Sequence, residues 1–333
     1  MDLLTPAQTW TAAEAADVPS TPPPRNANVI DPEHRMPRLQ QVVMFFSVVG
    51  PLLGMAGAIA LLWGRAVGPV DMAAMVLMYC IAGFGTTIGF HRLLTHRAFE
   101  TVRPVRIFLA ACGSIGGQGA VIRWVATHRR HHQESDREGD PHSPHQHGET
   151  PLGLLRGLWH AHVGWCFNAD VKDCGRSVRD LTSDRAMLFV DRFYFGWVFL
   201  GMLIPAAVVG LVTRSWGGAL SGFLWGGLGR IALMQHVTWS VNSVCHVWGS
   251  RPFRSGDHSA NNAAVALLSL GEGWHNNHHA FPTSARHGLF WWQFDPSWLL
   301  IRLMEKTGLA WNVRLPNDAA LATKRLPTER VAA

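Results

Sequence analysis

Three short stretches carry more imidazole than packing or solvation can use. "HRLLTH" (91–96) holds His91 and His96. "THRRHH" (127–132) holds His128, His131 and His132, and "EGWHNNHHAF" (272–281) holds His275, His278 and His279. Imidazole is a ligand for zinc, copper, iron and nickel. Eight rings exceed what one ion takes, so two metals are expected. "HRRHH" and "HNNHH" share the spacing i, i+3, i+4. At about 100° per residue each trio falls within one helical face and is expected to point at one place. The "HRLLTH" pair is spaced i, i+5, about 140° apart on a helix. Those two rings should not share a face; they suit a helix end, or two different metals. A di-metal, nitrogen-ligated site beside a membrane suggests oxygen activation by iron.

The membrane follows from the rest of the chain. Of 333 residues, 48% are hydrophobic, 15 are Trp and only 16% are charged, against about 25% charged in an ordinary soluble domain. Four apolar stretches, 41–63, 70–90, 193–213 and 218–239, each approach the roughly 20 residues that cross a bilayer as helix. Short linkers join the first to the second, "GRAVGP", and the third to the fourth, so two hairpins are expected. The stretch 104–120 is apolar but broken by glycine, and reads as a buried or interfacial helix. The fold class is therefore all-α: four transmembrane helices in two hairpins, with a helical cap carrying the histidines. Residues 1–37, including "STPPPR", read as a disordered tail, 38–315 as the membrane domain and 316–333 as a flexible C-terminal tail.

Charge orients the chain. The two hairpin turns carry one arginine each, Arg65 and Arg214, whereas Arg35, Arg38, Arg92, Arg97, Arg129 and Arg130 lie in the other segments. The positive-inside rule then puts both termini, residues 91–192 and every histidine box on the cytoplasmic side. The net charge of +6 is read as suiting a membrane surface, with no nucleic-acid partner. Cys80, Cys112, Cys166, Cys174 and Cys245 form no CxxC, which argues against a disulfide framework and fits a reducing compartment. The N-terminus lacks the basic-then-apolar pattern of a secretory signal.

The boxes, together with "DPHSP" (140–144), "AHVGW" (161–165) and "TWSVNSVCHVWG" (238–249), resemble the integral-membrane fatty acyl desaturases, closest to the stearoyl-CoA (delta-9) desaturase branch in a bacterial type. The resemblance spans roughly 41–315. It implies two irons, O2 as co-substrate, and a cis double bond placed in a long-chain acyl group. It supplies His246 as a ninth metal-binding histidine and Asn242 as a residue reaching metal through water; nothing in the spacing alone separates His246 from His236. It implies a bent acyl tunnel with Gln118, Trp124 and Thr238 at the kink and Trp239 beside them. Arg230 matches a family arginine as well; a charge inside an apolar span usually has a partner, or else snorkels toward the interface. Tyr79 lies twelve residues before His91, about 18 Å deeper if helical. With Met75 it is expected to form the tunnel floor.

Where the animal enzymes grip CoA with polar and charged residues, this chain has Gly119, Ala126, Thr127, Ala169 and Asp170. Acyl-CoA, acyl-lipid and acyl carrier protein all stay open as substrate. Nothing resembles a flavin site or a haem domain, so electrons are expected from a separate ferredoxin or b-type cytochrome with its reductase. His142, His145 and His147, among Pro and Gly, read as a surface turn, and His162 as structural or as a support to a ligand. His34, His160, His236, His258 and His287 read as ordinary histidines. "GSIGGQG" (113–119) lacks the full dinucleotide fingerprint. The rival readings are a membrane hydroxylase using the same boxes, and a metal transporter, which would need ionisable groups inside its spans.

Overall fold

The computed structural model describes residues 38–62, 67–148, 150–167 and 177–327. The expected tail 1–37, with His34 and Arg35, lies outside the described residues, as do Arg65, Ala169, Asp170 and Cys174. Fourteen α-helices occur among the described residues. In chain order they are α1 Arg38–Leu62, α2 Pro69–Phe84, α3 Arg103–Ile115, α4 Val121–Glu134, α5 Pro151–His162, α6 Arg179–Thr182 and α7 Arg185–Arg192. Then come α8 Tyr194–Thr213, α9 Trp216–Gly222, α10 Arg230–Ser243, α11 Ala263–Leu268, α12 His275–Ala280, α13 Pro296–Lys306 and α14 Asp318–Lys324. The extended structure is one antiparallel pair, β1 Glu100–Thr101 with β2 Ala310–Trp311, and a few isolated bridges.

Three helical runs are long and apolar enough to cross a membrane: Arg38–Ala60, Pro69–Thr95 and Tyr194–Thr213. They match three of the expected spans within a few residues. The fourth stretch is also continuous helix, from Trp216 through α9, a wide π segment Phe223–Gly229 and α10. Its glycines and Arg230 leave it below the same measure of hydropathy. Arg230 does not snorkel to the surface. It is fully buried, and its guanidinium donates to Ile115 O at 2.8 Å, Gly201 O at 3.2 Å and Gly226 O at 3.2 Å. Three carbonyl dipoles thus stand in for an acidic partner.

Two expectations are corrected. The first helix does not pack as a hairpin on α2; α1 packs chiefly against the segment Phe223–Gly229. Gly54 explains the choice, because a side-chain carbon there would lie 2.7 Å from Leu228 Cβ. The C-terminal segment is not a free tail over 316–327. It forms α14 and closes on the loop before α11, with Arg254 N–H donating to Lys324 O at 2.8 Å and Leu326 N–H to Pro252 O at 2.9 Å.

The feature that matters most for the site is the end of the second span. From Gly85 to Thr95 the helix widens into a π segment. In such a segment each N–H reaches the carbonyl five residues back; the last of these bonds is His96 N–H to His91 O, 3.1 Å. The widened helix lies tight against α3: a side-chain carbon at Gly89 would sit 2.8 Å from Leu109 O, and one at Gly85 would collide with the Cys112–Gly113 backbone.

Candidate metal centre

Four pieces of chain deliver the histidines: the π segment and its cap (His91, His96), α4 (His128, His131, His132), the turn after α10 (His246) and α12 (His275, His278, His279). Their ring nitrogens form two groups. His91, His96, His128, His132 and His278 make one, and His131, His246, His275 and His279 the other, with the donor atoms of each group within 4.8 Å of one another. All nine histidines expected to meet are brought together.

The grouping differs from the expected one in two ways. The i, i+5 pair does share a face: His91 and His96 have ring centroids 4.8 Å apart, because a π turn stacks residue i+5 over residue i. The trios on α4 and α12 do not point at one place. In each, the i and i+4 rings serve one group and the i+3 ring serves the other. On an α-helix i+4 sits about 40° to one side of i and i+3 about 60° to the other, so each box straddles two groups.

The nitrogens approach as ligands of a common ion would. His278 Nε2 is 3.0 Å from His91 Nε2 and 2.9 Å from His132 Nε2, which is 3.1 Å from His128 Nε2. In the second group His246 Nε2 is 3.0 Å from His275 Nε2, and His131 Nε2 is 3.4 Å from His279 Nε2. Metal–nitrogen bonds of about 2.1 Å give edges of roughly 3.0 Å in an octahedron and 3.4 Å in a tetrahedron.

Three carboxylates fix tautomers by hydrogen bonds, and a fourth lies against His91. His131 Nδ1 donates to Asp140 at 3.0 Å, His246 Nδ1 to Asp136 at 2.8 Å and His279 Nδ1 to Asp257 at 2.6 Å. His91 Nδ1 lies 2.5 Å from Glu272 Oε2. A ring that holds its proton on Nδ1 presents a bare lone pair at Nε2. His131 and His279 therefore aim lone pair at lone pair, an arrangement that a cation relieves. His96 Nε2 is likewise buried without a partner. The donor set and its orientation fit two metal ions.

Electrostatics keep several of the rings in the binding form, while His131 is raised above the ordinary histidine range because Asp140 outweighs its burial. Burial, then the neighbouring imidazoles, push His128, His132, His275 and His278 well below the ordinary histidine range. Burial brings His279 down to about 4 against the pull of Asp257. Burial would raise Asp136 and Asp257, but their hydrogen bonds to His246 and His279 outweigh it and hold both carboxyls far below the usual range.

These carboxylates were not singled out in the sequence. Arg92 was read only as an orienting charge; it is fully buried and bonds both Glu272 Oε1 (3.1 Å) and Asp295 Oδ1 (3.0 Å). The signal was available: in a chain with few acids, Asp140 sits in "DPHSP" and Glu272 opens "EGWHNNHH". Two histidine readings change. His142 is buried, not on a surface turn, with its ring centroid 4.4 Å from that of His131. His287 is buried too, 3.3 Å from Glu272 Oε2 and with its ring centroid 4.4 Å from that of His278. His162 is structural as expected, bridging Ser243 Oγ (3.0 Å) and His236 Nδ1 (2.9 Å). His145 bonds His246 O at 2.8 Å, and His147 is exposed.

Two cavities meet at the metal groups. The outer, ≈ 490 Å³, is lined by α1 residues such as Val43 and Met44 together with Gln118, Trp165, Tyr194 and Trp239. The inner, narrower at ≈ 50 Å³, is lined by Tyr79, Met234, Val241, Leu268 and Leu270, and by His91 and His275, one from each group. Trp124, His128, Thr238 and Asn242 line both. Tyr79 is among the residues lining the inner cavity, and its hydroxyl donates to Leu268 O at 2.7 Å. Met75, one turn beyond, is not among its lining residues.

The family model for the fatty acid desaturases matches residues 66–314. The chain belongs to the fatty acid desaturase family. This desaturase is 42% identical over 285 residues, 85% of its own length and 88% of the relative's, to a hex-5-enoyl-[acyl-carrier protein] acetylenase of Moorena producens (strain JHB). It is 40% identical over 245 residues (73% and 83%) to an sn-1 stearoyl-lipid 9-desaturase of Anabaena variabilis. It is 38% identical over 292 residues (86% and 87%) to the delta-9 acyl-lipid desaturase 1 of Arabidopsis thaliana. The desaturase is thus an oxidoreductase of lipid metabolism, with histidine clusters able to bind metal and apolar helices that suit a membrane.

Proposed function

We propose that this desaturase introduces a cis double bond at delta-9 of a saturated long-chain acyl group, at a di-iron centre, using O2 and electrons from a separate carrier. The observation that carries the reading is the meeting of two cavities beneath both histidine groups. A chain threaded from the outer cavity into the inner one passes His128, then His91 and His275, and turns at Trp124 and Thr238. A chain so held, with its carboxyl end toward the outer cavity, presents two adjacent methylenes to both groups at one fixed distance from that end. The delta-9 assignment draws support from the Anabaena stearoyl-lipid 9-desaturase and the Arabidopsis delta-9 acyl-lipid desaturase 1.

His91, His96, His128, His132 and His278 would hold one iron, and His131, His246, His275 and His279 the other, with Asn242 at the shared wall reaching metal through water. Two bound irons supply the reduction of O2 and the removal of hydrogen that no side chain here can perform. The protein's part is positioning. Asp136, Asp140 and Asp257 keep their partner imidazoles in the ligating tautomer. Arg92, bridging Glu272 and Asp295, ties the π segment to the start of α13. Trp124 and Thr238 set the bend, and Tyr79 closes the floor. Per double bond, O2 accepts two electrons from the substrate's C–H bonds and two from the carrier, and takes up protons to give two waters.

We further infer that the run Trp216–Ser243 is the fourth span, and that both termini and the metal groups face the cytoplasm in a bacterial inner membrane. The distribution of arginine between the turns and the other segments supports this. Expression in an unsaturated-fatty-acid auxotroph, with mass spectrometry of the products, tests the reading. Delta-9 monoenes are expected. A hydroxylated product, or a double bond at another position, would overturn it. Elemental analysis of active protein should give two irons per chain.

A further inference from the structure

We propose that an acidic one-electron carrier protein docks on the surface formed by the loop 250–258 and the C-terminal segment 318–326, and that electrons enter there. The inference rests on the di-iron reading above. Two independent observations carry it.

The first is proximity to the metal groups. The outer nitrogens of two ligands of the four-histidine group end beneath this one loop. His279 Nδ1 donates to Asp257 Oδ2 at 2.6 Å. His246 Nδ1 donates to Asp136 Oδ2 at 2.8 Å, and the same oxygen accepts the backbone N–H of His258 at 2.8 Å. His258 is exposed. One carboxylate or one short stretch of backbone therefore separates solvent from two imidazoles. The five-histidine group has no such outlet on the His91 side, where Glu272, Arg92 and His287 are all buried. The loop is a firm platform as well. Phe253 N–H donates to Asn276 Oδ1 at 2.9 Å, and Asn276 Nδ2 returns a bond to Phe253 O at 3.0 Å, fastening it to α12.

The second is charge. Arg251 and Arg254 on the loop, and Lys324 and Arg325 on the segment bonded to it, are all exposed. None has an acidic partner among the described residues: Lys324 Nζ donates to Ala280 O at 2.6 Å, and Arg325 lies over the Phe290 ring at 5.5 Å. The other basic face is largely neutralised. Arg97 and Arg129 share Asp180, and Arg106 pairs with Asp184. Four uncompensated cations around an outlet from the metal groups form a docking field for an acidic partner.

The test uses full-length, iron-loaded enzyme in lipid nanodiscs and a plant-type [2Fe–2S] ferredoxin as probe, with an acidic b-type cytochrome as a second. Binding is read by surface plasmon resonance, and turnover by product formation. In Arg251→Glu/Arg254→Glu, Kd and KM for the carrier should rise about tenfold or more at low ionic strength, with the difference shrinking as salt screens the field. Single turnover after dithionite reduction should stay at the wild-type level. Arg103→Glu/Arg185→Glu, on the other face, should behave as wild type. Unchanged Kd, or an equal loss in the control variant, overturns the proposal. So does a rate that follows the anionic lipid content while Kd for the carrier does not move, because the patch would then face lipid. If the double charge reversal also abolishes dithionite-driven turnover, Arg254→Gln must still weaken carrier binding about threefold or the proposal fails. Wild type that turns over with dithionite but with neither carrier refutes acidic docking alone; wild type inactive even with dithionite refutes the di-iron reading.

Discussion

Asp257→Asn separates a tautomer-setting role from a merely structural one. Asp257 is held from two sides. Its Oδ1 accepts Ser255 Oγ–H at 2.7 Å, Ser259 N–H at 3.0 Å and Ser259 Oγ–H at 2.5 Å, while its Oδ2 accepts from His279 Nδ1 at 2.6 Å. In the variant those serine donors select the amide oxygen for the Oδ1 position, so the NH2 must face His279. A donor there cannot accept the Nδ1 proton. The imidazole then moves its proton to Nε2 and loses the lone pair that a metal needs, or turns away from the group. Disturbing a partner of a metal-bound histidine typically weakens metal binding by about 10–100-fold, which is about 1.4–2.8 kcal/mol.

Only the four-histidine group is tied to Asp257, so the effect should be selective. Competition of the metal-loaded protein against a chelator should show one ion released 10–100-fold more readily and the other at the wild-type level. Two unchanged ions would refute the tautomer argument. Equal weakening of both would show that Asp257 supports the loop rather than the ligand.

Further outcomes follow from the same geometry. His278→Ala removes a ring whose Nε2 faces two others; iron per chain should fall, with activity down more than 100-fold, whereas His147→Ala at an exposed position should leave both unchanged, as read by elemental analysis and product formation. Tyr79→Ala should lengthen the longest acyl chain accepted, and Tyr79→Phe, which keeps the ring and loses only the bond to Leu268 O, should not; an unchanged chain-length profile in active Tyr79→Ala would place the floor elsewhere. Arg230→Met strands the carbonyls of Ile115 and Gly201, and should lower stability in a denaturation assay by about 1–3 kcal/mol per stranded group while metal binding persists.

The three boxes and three of the four apolar helices were legible because their signals are local, whereas the ninth histidine came only through the family resemblance. Eighteen or more apolar residues read as a span wherever they occur, and repeated histidines have few other uses. What was not legible depends on partners distant in sequence. Asp257 meets His279 across 22 residues and Asp136 meets His246 across 110, and no period or motif in a single chain reports such a meeting. The C-terminal segment misled because "NDAALATKR" is short, although its cap was there to read: Asn317 Oδ1 accepts the Ala320 N–H at 2.8 Å, and backbone bonds to the loop at Pro252 and Arg254 hold the segment in place.

The geometry of the first box shows how a helical wheel can be right about angles and wrong about the helix. A spacing of i, i+5 separates two α-helical rings by about 140°, and that arithmetic predicted either a helix end or two destinations for His91 and His96; His96 is indeed the cap of its segment, but the destination is one. The backbone answers with a π segment in which each N–H bonds the carbonyl five residues back. One residue is added to each turn, and the two rings stack over the same group. The sequence that permits it is "GTTIGF": Gly85 and Gly89 let the widened turns lie against the α3 backbone, where any side chain would collide. Thr86 and Thr95 donate their hydroxyls to Ala82 O and Phe90 O, at 3.1 Å and 2.8 Å, supporting carbonyls along the widened stretch. Gly85 and Gly89 are thus the means by which the span's last turns carry two ligands to one metal group.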